Sequence, residues 1–184
     1  MTFFPGTIIE KNGLSGKQFL DGMFNGTSGL VMSQIRDFTG LNTPAIQNWI
    51  NRGWLSRPTK KRYDEDQVAR ILIINLLRET MSLENVDKLL YCVNGDAEDL
   101  NDDIISEAEL YGYICDVIFS GADDGNVEDK INETVKNFRE RRPGDALRLK
   151  TTLKIVYLNR TAEKYMHAAG KLLAQLEKNT DNAR

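Results

Sequence analysis

SQIRDFTGLNTPAIQNWINRGWL, residues 33–55, is the stretch whose reading decides the fold. Ser33 can cap a short helix through Phe38, and Thr39-Gly40 breaks it. Thr43 then stands as an N-cap with Pro44 at the first helical position, where its missing N–H costs nothing, and Gly53 sits where a left-handed C-terminal cap is wanted. The spacing therefore predicts two short helices joined by a tight turn, the second from Pro44 to Arg52, which is the pattern of a helix-turn-helix. In such a unit the first helix braces the second. The second places its N-terminal half in the major groove of DNA, where base edges display a readable pattern of donors and acceptors. Asn42, Thr43, Gln47, Asn48 and Asn51 are the candidate readers, since Asn and Gln make bidentate contacts to adenine. Ile46 and Trp49 or Ile50 face the core. The same amides would also suit a plain solvated helix face.

Outward from this stretch, WLSRPTKKRY (54–63) has Pro58 and a basic tip, and it reads as a small hairpin or wing. Residues 30–63 hold six basic groups (Arg36, Arg52, Arg57, Lys60, Lys61, Arg62) and a single acid, Asp37. That local field suits a polyanion although the whole chain has a net charge of −3. Arg52, Arg57, Lys60, Lys61 and Arg62 are candidate phosphate contacts. Such contacts release counterions and give salt dependence without specifying sequence.

The rest of the chain reads as mostly helix. Residues 1–29 are rich in Gly and are expected to form an arm or small N-terminal helix. Asp64 with Gln67 starts a helix to about Glu79 that is apolar on too many sides to have a wet face, so it belongs at the centre of the core. Ser82 caps a helix to about Val93, and Ser106 with Glu109 starts one to about Ser120. A further helix holds Val127, Ile131, Val135 and Phe138, and Pro143-Gly144 ends it. The last runs from about Asp145 to Lys178, where Ile155, Leu158, Ala162, Tyr165, Ala169, Leu172 and Leu176 form a heptad seam. This seam packs either within the chain, on the acidic middle segment, or against a second copy in a homodimer. Residues 96–135 carry one basic and thirteen acidic groups, and residues 136–184 carry twelve basic and five acidic, so the two segments could pair.

Other chemistry finds little footing. His167 is the only histidine, Cys92 and Cys115 are 23 residues apart with no CxxC, and no Gly-rich phosphate loop occurs. Asp96 to Glu107 matches a calcium hand at loop positions 1, 3 and 12, but Leu100 and Asn101 stand where an oxygen ligand and a glycine are needed. No metal, no cofactor and no catalytic residue is expected, and the chain is read as not an enzyme. MTFFPG lacks the basic region of a signal peptide and no apolar run approaches a membrane span, so a cytoplasmic location is expected.

The run from Gly40 to Leu55 resembles the MerR-type helix-turn-helix, matching it without a gap at Gly40, Leu41, Asn42, Ile46, Trp49, Gly53 and Leu55. The likeness continues through a wing ending in Lys61-Arg62-Tyr63, an acidic helix start at Asp64-Glu65-Asp66, VARILIINLLRE (68–79) and Ser82-Leu83-Glu84, covering about residues 31–95. The usual Arg-Tyr-Tyr of that family is Gln47-Asn48-Trp49 here and the wing is shorter, so base preference does not carry over. A closer resemblance, over most of the chain, is to an uncharacterised Firmicutes domain-of-unknown-function family, in IQNWINRGWL, ILIINLLRE, YCVNGD and DDIISEAELY. What these resemblances imply is a mainly α protein in three parts: an N-terminal arm or helix (1–30), a MerR-like winged helix-turn-helix head with a short β wing (31–95), and a helical dimerisation or effector region ending in a long helix (96–184). The expected function is that of a bacterial transcription regulator binding specific double-stranded DNA, with an effector, small molecule or protein, left open. The alternative is a protein-interaction or architectural module on a winged-helix fold.

Overall fold

Local capping sets most of the helix starts. In a computed structural model that describes residues 2–95 and 103–181, Asp64 Oδ1 accepts from the Gln67 N–H at 2.9 Å while Gln67 Oε1 accepts from the Asp64 N–H at 3.0 Å. That reciprocal box opens α4 (Glu65–Leu77). The Ser82 and Ser106 hydroxyls accept from the N–H groups three residues on and open α5 (Leu83–Asn94) and α6 (Glu107–Phe119). Asp66 of α4 adds a second cap to α6 by accepting from the Ala108 N–H at 2.9 Å. The described residues are mainly helical, with a two-stranded sheet and a long final helix, α8 (Asp145–Asp181). Among them no helix is long and apolar enough to cross a membrane.

The decisive stretch forms α2 (Met32–Thr39) and α3 (Thr43–Asn51), joined across Gly40 at φ 72°. Two caps differ from expectation. Helix α2 starts one residue before Ser33, with Gln34 Oε1 accepting from the Val31 N–H, because a glutamine at the third position reaches the strand end that precedes it. Helix α3 is capped by Asn42, whose Oδ1 accepts from the Ala45 N–H at 2.9 Å, and Thr43 lies inside the helix.

The short sheet pairs β1 (Leu30–Val31) with β2 (Arg62–Tyr63) in antiparallel register, Leu30 opposite Tyr63 and Val31 opposite Arg62. The expected hairpin within 54–63 is thus reduced to one bridge, Thr59 opposite Arg62. Its main partner lies before α2, because Pro58 and the intervening loop leave no second strand to pair with.

Of the two forms expected of the N-terminal residues, the small helix is present and the free arm is not. Phe4 is buried and stacks on Phe19 of α1 (Gly16–Phe24) with ring centroids 4.0 Å apart, and it meets the Phe119 ring edge-on. Tyr111 on α6 donates its hydroxyl to the Pro5 carbonyl at 2.8 Å. Gly6, at φ 70°, lets the chain pass α4 so closely that a Cβ there would sit 2.1 Å from the Leu72 carbonyl oxygen. The expected arm is drawn in because its aromatic residues have an apolar wall to cover.

One apolar core runs from Phe4 through Trp49, the buried faces of α4 to α6, Val127 and Ile131 of α7 (Val127–Thr134), and on to Tyr157 of α8. Helix α4 is buried on nearly every side, as its composition requires. Helix α7 stops at Thr134, short of the expected Phe138, which follows a further turn and is half-buried.

Candidate nucleic-acid interface

On α3, Ile46, Trp49 and Ile50 are buried and Gln47, Asn48 and Asn51 are exposed. Spacings of three and four put each set on one side of the helix, so the amides form a continuous polar face opposite the core. Asn42 is exposed with its oxygen committed to the cap, and Thr43 is half-buried. Arg52, at the end of α3, is held on three sides. Its Nε donates to Asn48 Oδ1 at 3.4 Å, its Nη1 lies 3.7 Å from Glu84 Oε1 on α5, and its guanidinium sits over the Trp54 ring at 5.0 Å. Trp54 is only half-buried, because Arg52 rather than the core covers part of its face.

Arg57, Lys60, Lys61 and Arg62 are all exposed. The loop that carries them is fastened at both ends. Gln67 Nε2 donates to Ser56 Oγ at 2.8 Å and to the Arg57 carbonyl at 3.1 Å, and Arg62 Nη1 donates to the Gly29 carbonyl at 2.8 Å. At the tip the Arg62 N–H donates to the Thr59 carbonyl at 2.9 Å, so Lys60 and Lys61 are the two central residues of a tight turn. Both are left-handed, at φ 51° and 62°. Turns of this hand favour Asn-Gly, because left-handed φ costs a side-chain-bearing residue about 1 kcal/mol or more. A Lys-Lys pair is locally the wrong choice for the backbone. Nothing in the spacing signals it; only the exposed charge sets these residues apart.

Of the C-terminal seam, Leu158, Ala162, Tyr165, Ala169, Leu172 and Leu176 are exposed in the single chain and Ile155 is half-buried. The side of α8 that meets the core is a different one: Leu149, Thr152, Leu153, Val156 and Tyr157. The packing of this helix on the acidic segment is real but short. Lys154 pairs with Glu128 of α7, and the Tyr157 hydroxyl donates to Asp124 Oδ1 at 3.4 Å. Beyond Glu163 the helix carries Tyr165, Met166, Leu172, Leu173 and Leu176 exposed.

The acidic segment is not wholly a solvated face. Glu107 is buried and pairs with Arg70 of α4 at 2.9 Å, and Arg70 Nη2 lies 3.8 Å from Asp87 of α5. Burial raises the Glu107 carboxyl above its ordinary range despite the opposing pull of Arg70. Asp96, Glu98, Asp99 and Asp102, and with them most of the calcium-hand positions, lie outside the described residues. His167 is exposed with Nε2 3.7 Å from Glu163. Cys115 is buried with its thiol pushed up to about 12 by burial, and Cys92 is exposed.

Residues 19–114 match the family described as "Domain of unknown function (DUF1836)". That match takes in more than half of the chain, from α1 through most of α6, and the chain belongs to this family. It is also similar to "Uncharacterized protein YkrK" of Bacillus subtilis (strain 168), 26% identical over 117 residues, which is 60% of this chain and 50% of that protein. The chain thus spans about half the length of the curated relative it matches. No solved structure matches it significantly.

Proposed function

We propose that this chain is a bacterial transcription regulator that binds duplex DNA through a MerR-like winged helix-turn-helix. Helix α3 presents Gln47, Asn48 and Asn51 to the major groove, and the turn at Lys60-Lys61 lies on phosphate as the wing. The observation that carries the reading is that turn. Two lysines occupy left-handed positions that the backbone would sooner give to Asn and Gly, and strain retained at an exposed cationic tip points to a task for the charge. The amide face on α3 supports it, being exposed, continuous and backed by Ile46, Trp49 and Ile50.

The test is retardation of a genomic DNA pool at low salt, followed by sequencing of what is retained. Gln47→Ala or Asn48→Ala should lose about 1–3 kcal/mol at the preferred site and relax base choice there. Lys60→Asn with Lys61→Gly should do two opposite things. Thermal stability should rise by about 1 kcal/mol as the turn relaxes, while affinity for all sequences falls and the salt slope drops by about two units. A protein that retards no DNA at low salt is not this regulator.

A single short recognition helix reads too few base pairs to find an operator, so two heads on a two-fold axis are part of the proposal. The seam from Ile155 to Leu176 supplies the contact between copies. Its exposed apolar side chains support that reading, since a monomer would leave them in water. Lys164 and Lys171 flank the seam, so parallel identical helices would face like charges and an antiparallel crossing is favoured. Leu158→Asp with Leu172→Asp should give a folded monomer in light scattering and much weaker operator binding. An unmodified protein that is monomeric at tens of micromolar would remove the dimer.

A further inference from the structure

An open cleft of about 820 Å³ lies where the N-terminal turn, the end of α4, the end of α6 and the middle of α8 converge. We infer that it is a binding site for a small amphipathic carboxylate. Four cations line it, Lys11, Arg78, Arg160 and Lys164, against two carboxylates, Glu79 and Glu163. The acids are already engaged: Glu79 lies 3.6 Å from Arg78, and Glu163 pairs with Arg160. Among the described residues Lys164 has no ion pair within 4 Å, and the Lys11 Nζ sits over the Phe119 ring at 3.9 Å, with Asp116, outside the cleft lining, feeling its charge. The cleft therefore has a surplus of two positive charges in a chain whose net charge is negative.

The same cleft exposes apolar surface. Phe3 is 39% exposed and Ile8 60% exposed, with Ile118 and Phe119 half-buried beside them. Among the described residues Phe3 and Ile8 are not part of the core or packed against it, although Phe4, next to Phe3 in sequence, is fully inserted. A cationic rim beside open apolar side chains matches a ligand with an anionic head and an apolar body. The volume is that of an ordinary small-molecule site. The Arg160 guanidinium meets Glu163 through Nη1, and its remaining N–H groups present a paired donor set to a carboxylate beside the Lys164 ammonium.

The walls are fastened to the first helix of the candidate DNA-binding unit. Asn75 Nδ2 donates to the Gly6 carbonyl at 2.8 Å and to the Thr39 carbonyl at 3.2 Å, and the Ile8 N–H donates to the Phe38 carbonyl at 2.9 Å. Arg160 and Lys164 belong to α8, which carries the proposed dimer seam. A regulatory role for the ligand would rest on the DNA-binding reading. The ligand site itself does not, and it is tested on free protein without DNA.

The probe is sodium octanoate, titrated into the 184-residue chain and followed by heteronuclear NMR, with octanamide as the uncharged control. Octanoate should shift the amides of residues 3–11, 78–79 and 118–121 saturably in the millimolar range or below, and octanamide should bind at least about tenfold more weakly. Arg160→Ala with Lys164→Ala should weaken octanoate by at least about tenfold. Lys164→Glu, a change at an exposed residue that is not a member of the Arg160–Glu163 pair, should weaken it in the same direction. Leu158→Asp with Leu172→Asp should leave it unchanged. The inference is overturned if no saturable shift occurs at millimolar octanoate, if the shifts lie only on α8 beyond Tyr165, or if octanamide binds as well as octanoate.

Discussion

Trp49→Ala should lower the stability of the chain by about 3–5 kcal/mol and shift one cooperative unfolding transition as a whole. Trp49 is 2% exposed and lies between Ile46 and Ile50 on the inner side of α3. Its carbonyl also accepts from the Trp54 N–H at 3.0 Å, which closes the helix at Gly53. Truncation would leave a void that the caps at Asn42 and Gly53 prevent α3 from closing. Domains of this size are stable by about 5–15 kcal/mol in total, so the loss is a large share of the reserve. The core is continuous from Phe4 to Tyr157, so α5, α6 and the start of α8 should melt together with α3. Urea unfolding followed by far-UV circular dichroism and by the Trp54 fluorescence of the variant checks both parts. A Trp49→Ala protein of unchanged stability would place the indole on the outer face, against this packing.

What was legible in the sequence was local. Asp64 with Gln67, Ser82 and Ser106 announce their helices because each cap is completed within three residues. Gly40 and Gly53 mark the ends of α2 and α3 because both need left-handed φ. The partition of α3 into Ile46, Trp49 and Ile50 against Gln47, Asn48 and Asn51 follows from helical spacing alone. What was hidden depends on contacts far apart in the chain. A two-residue strand such as Leu30–Val31 carries no periodicity, and its pairing with Arg62–Tyr63 is fixed only when the loop after α3 returns. Phe4 looks like part of a glycine-rich arm until Phe19 and Phe119 are brought beside it. The seam on α8 shows the limit in another form. A heptad declares an apolar stripe, but the side of α8 that meets the core is Leu149, Leu153 and Val156, and spacing does not tell which stripe a neighbour will cover.

Arg70→Ala should cost about 3–5 kcal/mol near neutral pH, because it leaves a buried carboxylate without its counter-charge. Arg70 sits in a helix that reads as wholly apolar, yet it joins four parts of the fold. Nη1 donates to Glu107 at 2.9 Å on α6, Nη2 lies 3.8 Å from Asp87 on α5, and Nε donates to the Trp54 carbonyl at 2.7 Å beside α3. The second carboxylate oxygen of Glu107 has no hydrogen-bond partner among the described residues, so the pair is incompletely compensated even with Arg70 present. Burial holds the Glu107 carboxyl above its ordinary range, and Arg70 is the chief opposing influence. The folded state therefore keeps this proton more tightly than the unfolded chain does. The stability linked to it is present below the ordinary carboxylate range and is lost as the pH rises through the raised value. Without Arg70 that value rises further, so the deficit of Arg70→Ala should widen with rising pH and shrink in mild acid as Glu107 takes up a proton. Urea unfolding of both proteins at about pH 7 and about pH 5 measures the two gaps. Equal gaps would mean that the loss comes from packing rather than from the stranded charge. Replacing the pair together, as Arg70→Met with Glu107→Leu, removes both charges and should recover most of the loss. Part should remain, since the Trp54 carbonyl would lose its Arg70 donor and Asp87 the guanidinium charge beside it.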